Sequence, residues 1–457
     1  MSGLTTGWLA ATARDLGLRV VEGSDRPIVG GSADSRSLAP GQLFAAFTGE
    51  STDGNRYVAD AIALGAAAAV CRSEPPDIPS DVTLVLAEDT RDAVAQLAIA
   101  WRRACGVRVV GITGTVGKTS TKEMVAAVLA QRFTTHKSAG NLNSREGLPL
   151  AILTMTPADA VAVLEMGIDA VGEMAKLFAI AEPEIGAVLN IGYTHVSKTG
   201  SIEATASEKL TLPRSLPATG TALLNADDAR VAAAIPELAC RVISFGRSPG
   251  ATLRISAEEA LGLAGTRFDL TCGGETVRVT SPLAGLHLIT AAVVAVGAAM
   301  ALGMPFAEAA ALVATAKPES RMRTFATAGG VTILDDRYNS SPASLAGGLR
   351  FLKGLTGRRI AFVGKMAELG DREVEEHRAA GELASDCCDL VVTFGPLGHA
   401  LACGAMRGGE ARVEWYATKE EAAGALAAQL RSGDVVLVKG SRSEALETVL
   451  PLLEAAG

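Results

Sequence analysis

The sequence predicts an α/β protein of three domains, and three observations carry this. The chain has 457 residues, which at roughly 150 residues per domain is the length of about three. Apolar, β-branched runs alternate with helix-like segments, the pattern of a mostly parallel sheet covered by helices on both faces. The alternation comes in two separate blocks, one from Val107 and one from about Gly330, behind a smaller N-terminal unit.

Met1 to about Arg103 is expected to be a small α/β unit, with a loop and short strand over Ala33 to Phe47 and an Ala-rich helix leading to a strand over Arg56 to Val70. From Val107 the strand-like runs are Val107 to Thr113, Ala160 to Glu165, Ile185 to Ile191, Thr221 to Asn225 and Arg241 to Phe245. The helical segments between them include Lys118 to Arg132, Gly172 to Ala181 and Ile202 to Leu212. Ala251 to Thr280 breaks the rhythm and predicts an antiparallel meander around Cys272-Gly273-Gly274, followed by two Ala-rich helices to about Thr315. The second block has strands at Val331 to Leu334, Arg359 to Val363, Leu390 to Phe394, Val413 to Tyr416 and Val435 to Lys439. It is Rossmann-like but has no G-x-G-x-x-G after its first strand. The expected domains are 1–103, 104–315 and 316–457. No short internal repeat is present, which disfavours solenoids and propellers.

Hydrophobic residues make up 48% and charged residues 20% of the chain, which excludes a disordered polymer. Forty-two Lys and Arg against 50 Asp and Glu leave a net charge of -8. With no basic block, the chain is not built to coat nucleic acid or anionic membrane; any phosphate must be bound locally. Seven scattered cysteines form no C-x-x-C, so neither a zinc ribbon nor a thioredoxin-like motif is supported. Buried, reduced thiols in a cytosolic protein are expected. No basic start with an apolar core marks a signal peptide. Ile289 to Met304 is uncharged, but short and rich in Ala and Gly; a buried core helix is expected there rather than a membrane span.

The strongest local signal runs from Val107 to Glu123: an apolar strand, the turn Thr113-Gly-Thr-Val-Gly-Lys-Thr-Ser120, then an amphipathic helix. Gly114 and Gly117 let the backbone bend so that the loop amides, including that of Thr115, and the helix N-terminus face a phosphate. Lys118 would reach the β and γ phosphates, Thr119 would ligate Mg²⁺, and Ser120 belongs to the same nucleotide-binding turn. The eight-residue Walker pattern is one glycine short, with Ile112 at its first position. By itself this turn does not choose among kinase, ATPase, GTPase and ligase. Glu165 closes one apolar strand and His195 follows the next, in Asn190-Ile-Gly-Tyr-Thr-His195. Carboxyl ends of parallel strands are where open α/β sheets bind ligands. Glu165 could therefore hold Mg²⁺, and His195 could be a metal ligand or a phosphate donor.

These motifs, with others in the same order, resemble the Mur ligase superfamily along all three domains. The resemblance rests on Asp34-Ser-Arg36, Pro40-Gly-Gln-Leu-Phe44 and Asp53-Gly54 at the front, and on the phosphate turn, Gly140-Asn-Leu-Asn-Ser-Arg-Glu-Gly-Leu-Pro149, Glu165-Met-Gly167 and Leu223-Leu-Asn-Ala-Asp-Asp228 in the middle. Behind them come Asp335-Asp-Arg-Tyr-Asn-Ser-Ser-Pro342, Gly364-Lys-Met-Ala-Glu-Leu-Gly370 with His377, and Val438-Lys-Gly-Ser-Arg442. It implies a three-domain Mur ligase architecture: an N-terminal UDP-substrate domain, a central P-loop ATP domain and a C-terminal Rossmann-like domain. It further implies ATP-dependent amide formation through an acyl phosphate, in a monomeric cytoplasmic enzyme of cell-wall precursor synthesis. The branch most resembled joins D-Ala-D-Ala to a UDP-N-acetylmuramoyl peptide.

By the same resemblance, Ser35, Arg36, Asn141, Asn143, Tyr338 and Asn339 contact substrate, while Asn190 and Asp336 contact the nucleotide. Arg321 reaches its phosphates on closure. Lys209, in Ala206-Ser-Glu-Lys-Leu210, stands where the superfamily carries a carbamylated lysine that supports a metal with Glu165 and His195. The chain departs from the pattern at Leu288 and Ala291, where Asn is usual, and at Asn55, Ser144, Thr211 and Lys365. These departures admit a second reading, a paralogous ligase that keeps the reaction and joins a different carboxylate and amine.

Overall fold

The computed structural model describes residues 3–49, 52–193, 199–319 and 322–456. Three sheets follow one another along the chain. The first comprises β1 (Arg19–Val21), β2 (Gly31–Ser32), β3 (Leu43–Ala45), β4 (Ala68–Cys71) and β5 (Thr83–Leu86) in the order β1-β5-β4-β3-β2. Only β1 runs antiparallel, against β5. Its helices include Thr6–Asp15, which the sequence did not announce, and Val58–Ala63, shorter than expected because residues 54–57 form a 3₁₀ turn.

The central sheet has nine strands: β6 (Arg108–Thr113), β7 (Thr135–Lys137), β8 (Val161–Glu165), β9 (Ile185–Val188), β10 (Thr221–Asn225), β11 (Arg241–Gly246), β12 (Leu253–Ala260), β13 (Thr266–Cys272) and β14 (Glu275–Ser281). Their order is β14-β13-β12-β11-β10-β9-β6-β8-β7. The chain leaves β8 on one side of β6 and returns as β9 on the other, so the carboxyl end of β6 lies at a topological switch point. That is where an open α/β sheet offers a crevice. The expected meander is antiparallel, and it extends this sheet through a parallel pairing of β12 with β11. Its β13–β14 hairpin turns on Gly273 and Gly274, at φ 56° and 88°, the two left-handed positions of a tight hairpin turn. The helix Ile289–Ala301 is almost wholly buried and packs on the helix Lys118–Leu129. Among the described residues no helix is long and apolar enough to cross a membrane.

The third sheet comprises β15 (Arg323–Ala326), β16 (Thr332–Asp335), β17 (Arg359–Val363), β18 (Leu390–Phe394), β19 (Arg412–Tyr416) and β20 (Val435–Lys439), in the order β15-β16-β20-β17-β18-β19. All pairings but β15–β16 are parallel. Here too a switch point forms, where β20 separates β16 from β17. All seven cysteines are free; Cys71, Cys240, Cys387 and Cys388 are buried, and Cys105, Cys272 and Cys403 are half-buried. Burial pushes the Cys71 and Cys105 thiols up to about 11.

Candidate active site

The helix Lys118–Leu129 starts directly from the turn after β6. Gly117 takes φ 85° as its N-cap, a left-handed conformation that favours glycine. At Gly114 the constraint is space, because a Cβ there would lie 2.9 Å from Leu189 Cβ. Asn190, at the end of β9, clamps the turn. Its Oδ1 accepts from the Thr115 amide at 3.0 Å and the Val116 amide at 2.9 Å, and its Nδ2 donates to Val116 O at 3.1 Å. Two of the loop amides are thereby engaged by protein. The remaining first-turn amides of the helix have no intrahelical acceptor, and Gly117 to Thr121 line the cavity beside them. Lys118 Nζ folds back over the turn, donating to Gly114 O at 2.9 Å and Thr115 O at 3.2 Å.

The Thr119 hydroxyl donates to Glu165 Oε2 at 2.5 Å, and Asn143 Nδ2 donates to Glu165 Oε1 at 2.8 Å. Three predicted site residues, from β8, the helix and the Asn-rich loop, thus meet at one buried carboxylate. Asn141, two residues away, is exposed. The Ser144 hydroxyl accepts from the Gly147 amide at 3.2 Å, just before the helix Gly147–Ile152. Lys209 is only 1% exposed, and burial with the nearby Lys118 cation lowers it to about 7. No hydrogen bond or ion pair of its amine is seen among the described residues. The adjacent Glu208 instead caps the helix Glu173–Ala181, accepting from the Gly172 and Met174 amides at 2.9 and 2.6 Å. Thr211 is half-buried, and its hydroxyl donates back to Ser207 O at 3.1 Å. His195 and Arg321 lie outside the described residues.

Across the crevice stands the third sheet. Lys439, at the end of β20 and almost wholly buried, donates to Asp336 Oδ2 at 2.5 Å and to Asn339 O at 3.0 Å. A cavity of about 520 Å³ joins the two sheets. It is lined from the central domain by the phosphate turn, Ser120, Glu165, Asn190 and Asn225, and from the third by Asp336, Tyr338, Asn339, Glu368 and Lys439. Nearly all of these follow the carboxyl ends of parallel strands, so two switch points face each other. His287 also lines the cavity, together with Leu288 and Ala291. Burial lowers its imidazole to about 4, against the opposing pull of Asp336. The sequence did not single out His287 or Lys439 as site residues. The available signal for Lys439 was a lysine closing a wholly apolar strand.

Ser35 and Arg36 sit apart, in the 3₁₀ turn that follows β2, and do not line this cavity. Arg36 is exposed and doubly bonded to Asp34 at 2.9 and 2.8 Å. Asn55 bridges Asp53 and the Arg72 amide at 2.7 and 2.6 Å, and Lys365 pairs with Glu444 at 3.4 Å.

Comparison with known proteins agrees with this geometry. The Mur ligase family catalytic domain matches residues 27–102, the Mur ligase middle domain residues 112–299, and the Mur ligase glutamate ligase domain residues 320–442. The UDP-N-acetylmuramoyl-tripeptide--D-alanyl-D-alanine ligase of Bacillus subtilis is 33% identical over 428 residues, covering 93% of this chain and 92% of the relative. A crystal structure of MurF from Acinetobacter baumannii superposes with a TM-score of 0.86 at 26% identity, covering 99% of each chain. MurF ligase from Thermotoga maritima in complex with ADP superposes at 0.78 and 26% identity, covering 93% and 96%. Fold, cavity and likeness over almost the entire length agree: this chain belongs to the Mur ligase family.

Proposed function

We propose that the chain is an ATP-dependent amide ligase that joins D-alanyl-D-alanine to UDP-N-acetylmuramoyl-tripeptide, in the cytoplasm and as a monomer. The observation that carries the reaction type is the single cavity in which a phosphate turn and Glu165 face Asp336, Tyr338 and Lys439 of a second sheet. The substrates follow from relatives such as the Bacillus subtilis ligase, matched over 92% of its length. We propose domain joins near Arg103 and Thr315, so that UDP, ATP and amine each meet a different domain.

ATP would lie with its phosphates on the first turn of the helix Lys118–Leu129, where unpaired amides and the helix dipole favour anions. Its γ-phosphoryl passes to the substrate carboxylate, giving an acyl phosphate and ADP. The amine then attacks the acyl carbon, loses a proton, and expels inorganic phosphate as the amide forms. Lys118 offsets charge on the transferring group, and Arg321 adds to it from the join. Asp336 holds the ribose or adenine side. Tyr338 and Asn339, with Asn141 and Asn143 opposite, hold the acceptor and the amine, and Ser35 and Arg36 hold the uridine end.

The donor set fits Mg²⁺. Thr119 Oγ1 and a Glu165 carboxylate oxygen lie 2.5 Å apart beside the turn, and both are hard oxygen ligands. His195 and a carbamylated Lys209 would complete the set, and the metal would supply charge neutralisation for phosphoryl transfer. A buried amine near 7 is about half uncharged at neutral pH, and the uncharged form is the one that can take up CO₂. Leu288 and Ala291, apolar on the cavity wall, favour as the second reading a paralogue with another carboxylate and amine. Phosphate release should require ATP, UDP-N-acetylmuramoyl-tripeptide and D-Ala-D-Ala together. No turnover across a set of tripeptide third residues, diaminopimelate included, would sink the first reading and leave the second.

A further inference from the structure

The central and third domains also touch through Tyr193, inside the run that begins at Asn190, and Arg372, which no motif marks. Tyr193 follows Asn190 by three residues and is 45% exposed. The Arg372 guanidinium lies 4.3 Å from its ring centroid, well within cation–π range. Both partners are anchored. Beneath Tyr193, the Gly192 amide donates to Thr115 Oγ1 at 2.8 Å, and Asn190 clamps the same turn. Arg372 Nη2 pairs with Glu376 Oε1 at 2.7 Å.

Behind Arg372, the buried His377 ring accepts the Met366 amide at Nε2, 2.8 Å away, and its Nδ1 lies 2.6 Å from Glu373 O. A neutral ring protonated at Nδ1 satisfies both contacts. It fastens the segment from Gly364 to Arg372, which gives Ala367 and Glu368 to the cavity wall. A continuous set of contacts therefore runs from the phosphate turn across the crevice to the opposite wall.

We propose that Arg372 and Tyr193 are a positioning pair that sets the third domain's wall in register with the phosphate turn, with His377 holding that wall from behind. Neither lines the cavity. The inference rests on the ligase reading, because the step it serves is attack of an amine held by one domain on an acyl phosphate formed at the other. Losing the pair lowers the population of registered molecules and leaves the nucleotide contacts of the central domain intact.

The test uses the full-length chain and four variants: Arg372→Ala, Tyr193→Ala, the two combined, and Tyr193→Phe. Amine-dependent phosphate release gives kcat/KM for D-Ala-D-Ala; a fluorescent ATP analogue gives nucleotide affinity. Each Ala variant is expected to lose about two- to fivefold in kcat/KM, the range for a partly exposed cation–π contact. The double variant should lose no more than the worse single. Tyr193→Phe keeps the ring face and should stay within about twofold of the unaltered chain; in the Ala variants nucleotide affinity should fall no further than kcat/KM, because the phosphate turn is untouched and only the Asp336 contact depends on register. Additive losses, unchanged kcat/KM, or a Tyr193→Phe loss equal to that of Tyr193→Ala would each overturn the pair. If the unaltered chain itself does not turn over, the ligase reading falls, and with it the step assigned to this pair.

Discussion

A lysine amine that is 1% exposed and titrates near 7 is a liability unless its chemistry is used. Lys209 binds a proton in the unfolded chain up to its ordinary value near 10.5, but in the folded chain only below about 7. Between those values the unfolded state holds more protons, so this group's contribution to stability rises with pH across that window. Lys209→Met should therefore raise the melting temperature more at pH 6 than at pH 9, read by thermal melts at both. If Lys209 is a metal-supporting carbamate, the same variant loses turnover at every pH. Lys118 Nζ donates to the Gly114 and Thr115 carbonyls of the phosphate turn, and Lys118→Ala removes its charge from the site. It should cut kcat by about 10²- to 10³-fold, the usual effect of deleting one preorganised charge stabiliser, in a phosphate-release assay with matched melting curves. The apolar Leu288 and Ala291 line the cavity and cannot hydrogen-bond a base edge. Ala291→Asn should tighten ATP, lowering its KM against that of GTP, in parallel titrations.

At the scale of elements, the helix Pro342–Lys353 meets the central domain through a missing side chain. A Cβ on Gly347 would lie 2.9 Å from the His287 ring. Glycine to alanine in a helix ordinarily stabilises by about 0.5–1 kcal/mol. Here the sign should reverse, with Gly347→Ala lowering both melting temperature and activity, and His287→Ala in the same chain restoring the melting temperature. Elements announced by their own residues were legible: β6, β17, β18 and β20 are apolar runs, and the turn after β6 carries its own glycines. Strands β7 and β15 were not legible. Thr135-His-Lys137 and Arg323-Thr-Phe-Ala326 have no apolar run, and they are strands because a neighbouring strand offers them a hydrogen-bonding edge.

At the scale of the molecule, the first two domains share one core. Trp101 is buried, donates from Nε1 to Met155 O at 2.9 Å, and meets Trp8 edge-on at 4.8 Å. The cluster around it contains residues from Leu4 to Trp101 and from Val107 to Leu212. The third domain is built on clusters of its own. Trp101→Ala should cost about 3–5 kcal/mol and shift a single calorimetric transition common to residues 1–315, leaving that of the C-terminal domain in place. Two independent shifts within 1–315 would contradict a common core.

The sequence by itself determined the three α/β blocks, the phosphate turn, the strand-end position of Glu165, and the order of motifs that marks the family. Each of these is written in residues close together along the chain, where periodicity and turn chemistry act. Only the tertiary structure decided which strand ends face one another. It buried Lys209 beside Lys118, joined Asn143 to Glu165, paired Lys439 with an aspartate 103 residues away, and laid Arg372 on Tyr193. Burial and charge environment come from elements distant in sequence, so the titration of a lysine or the partner of a tyrosine is fixed only once the sheets have packed.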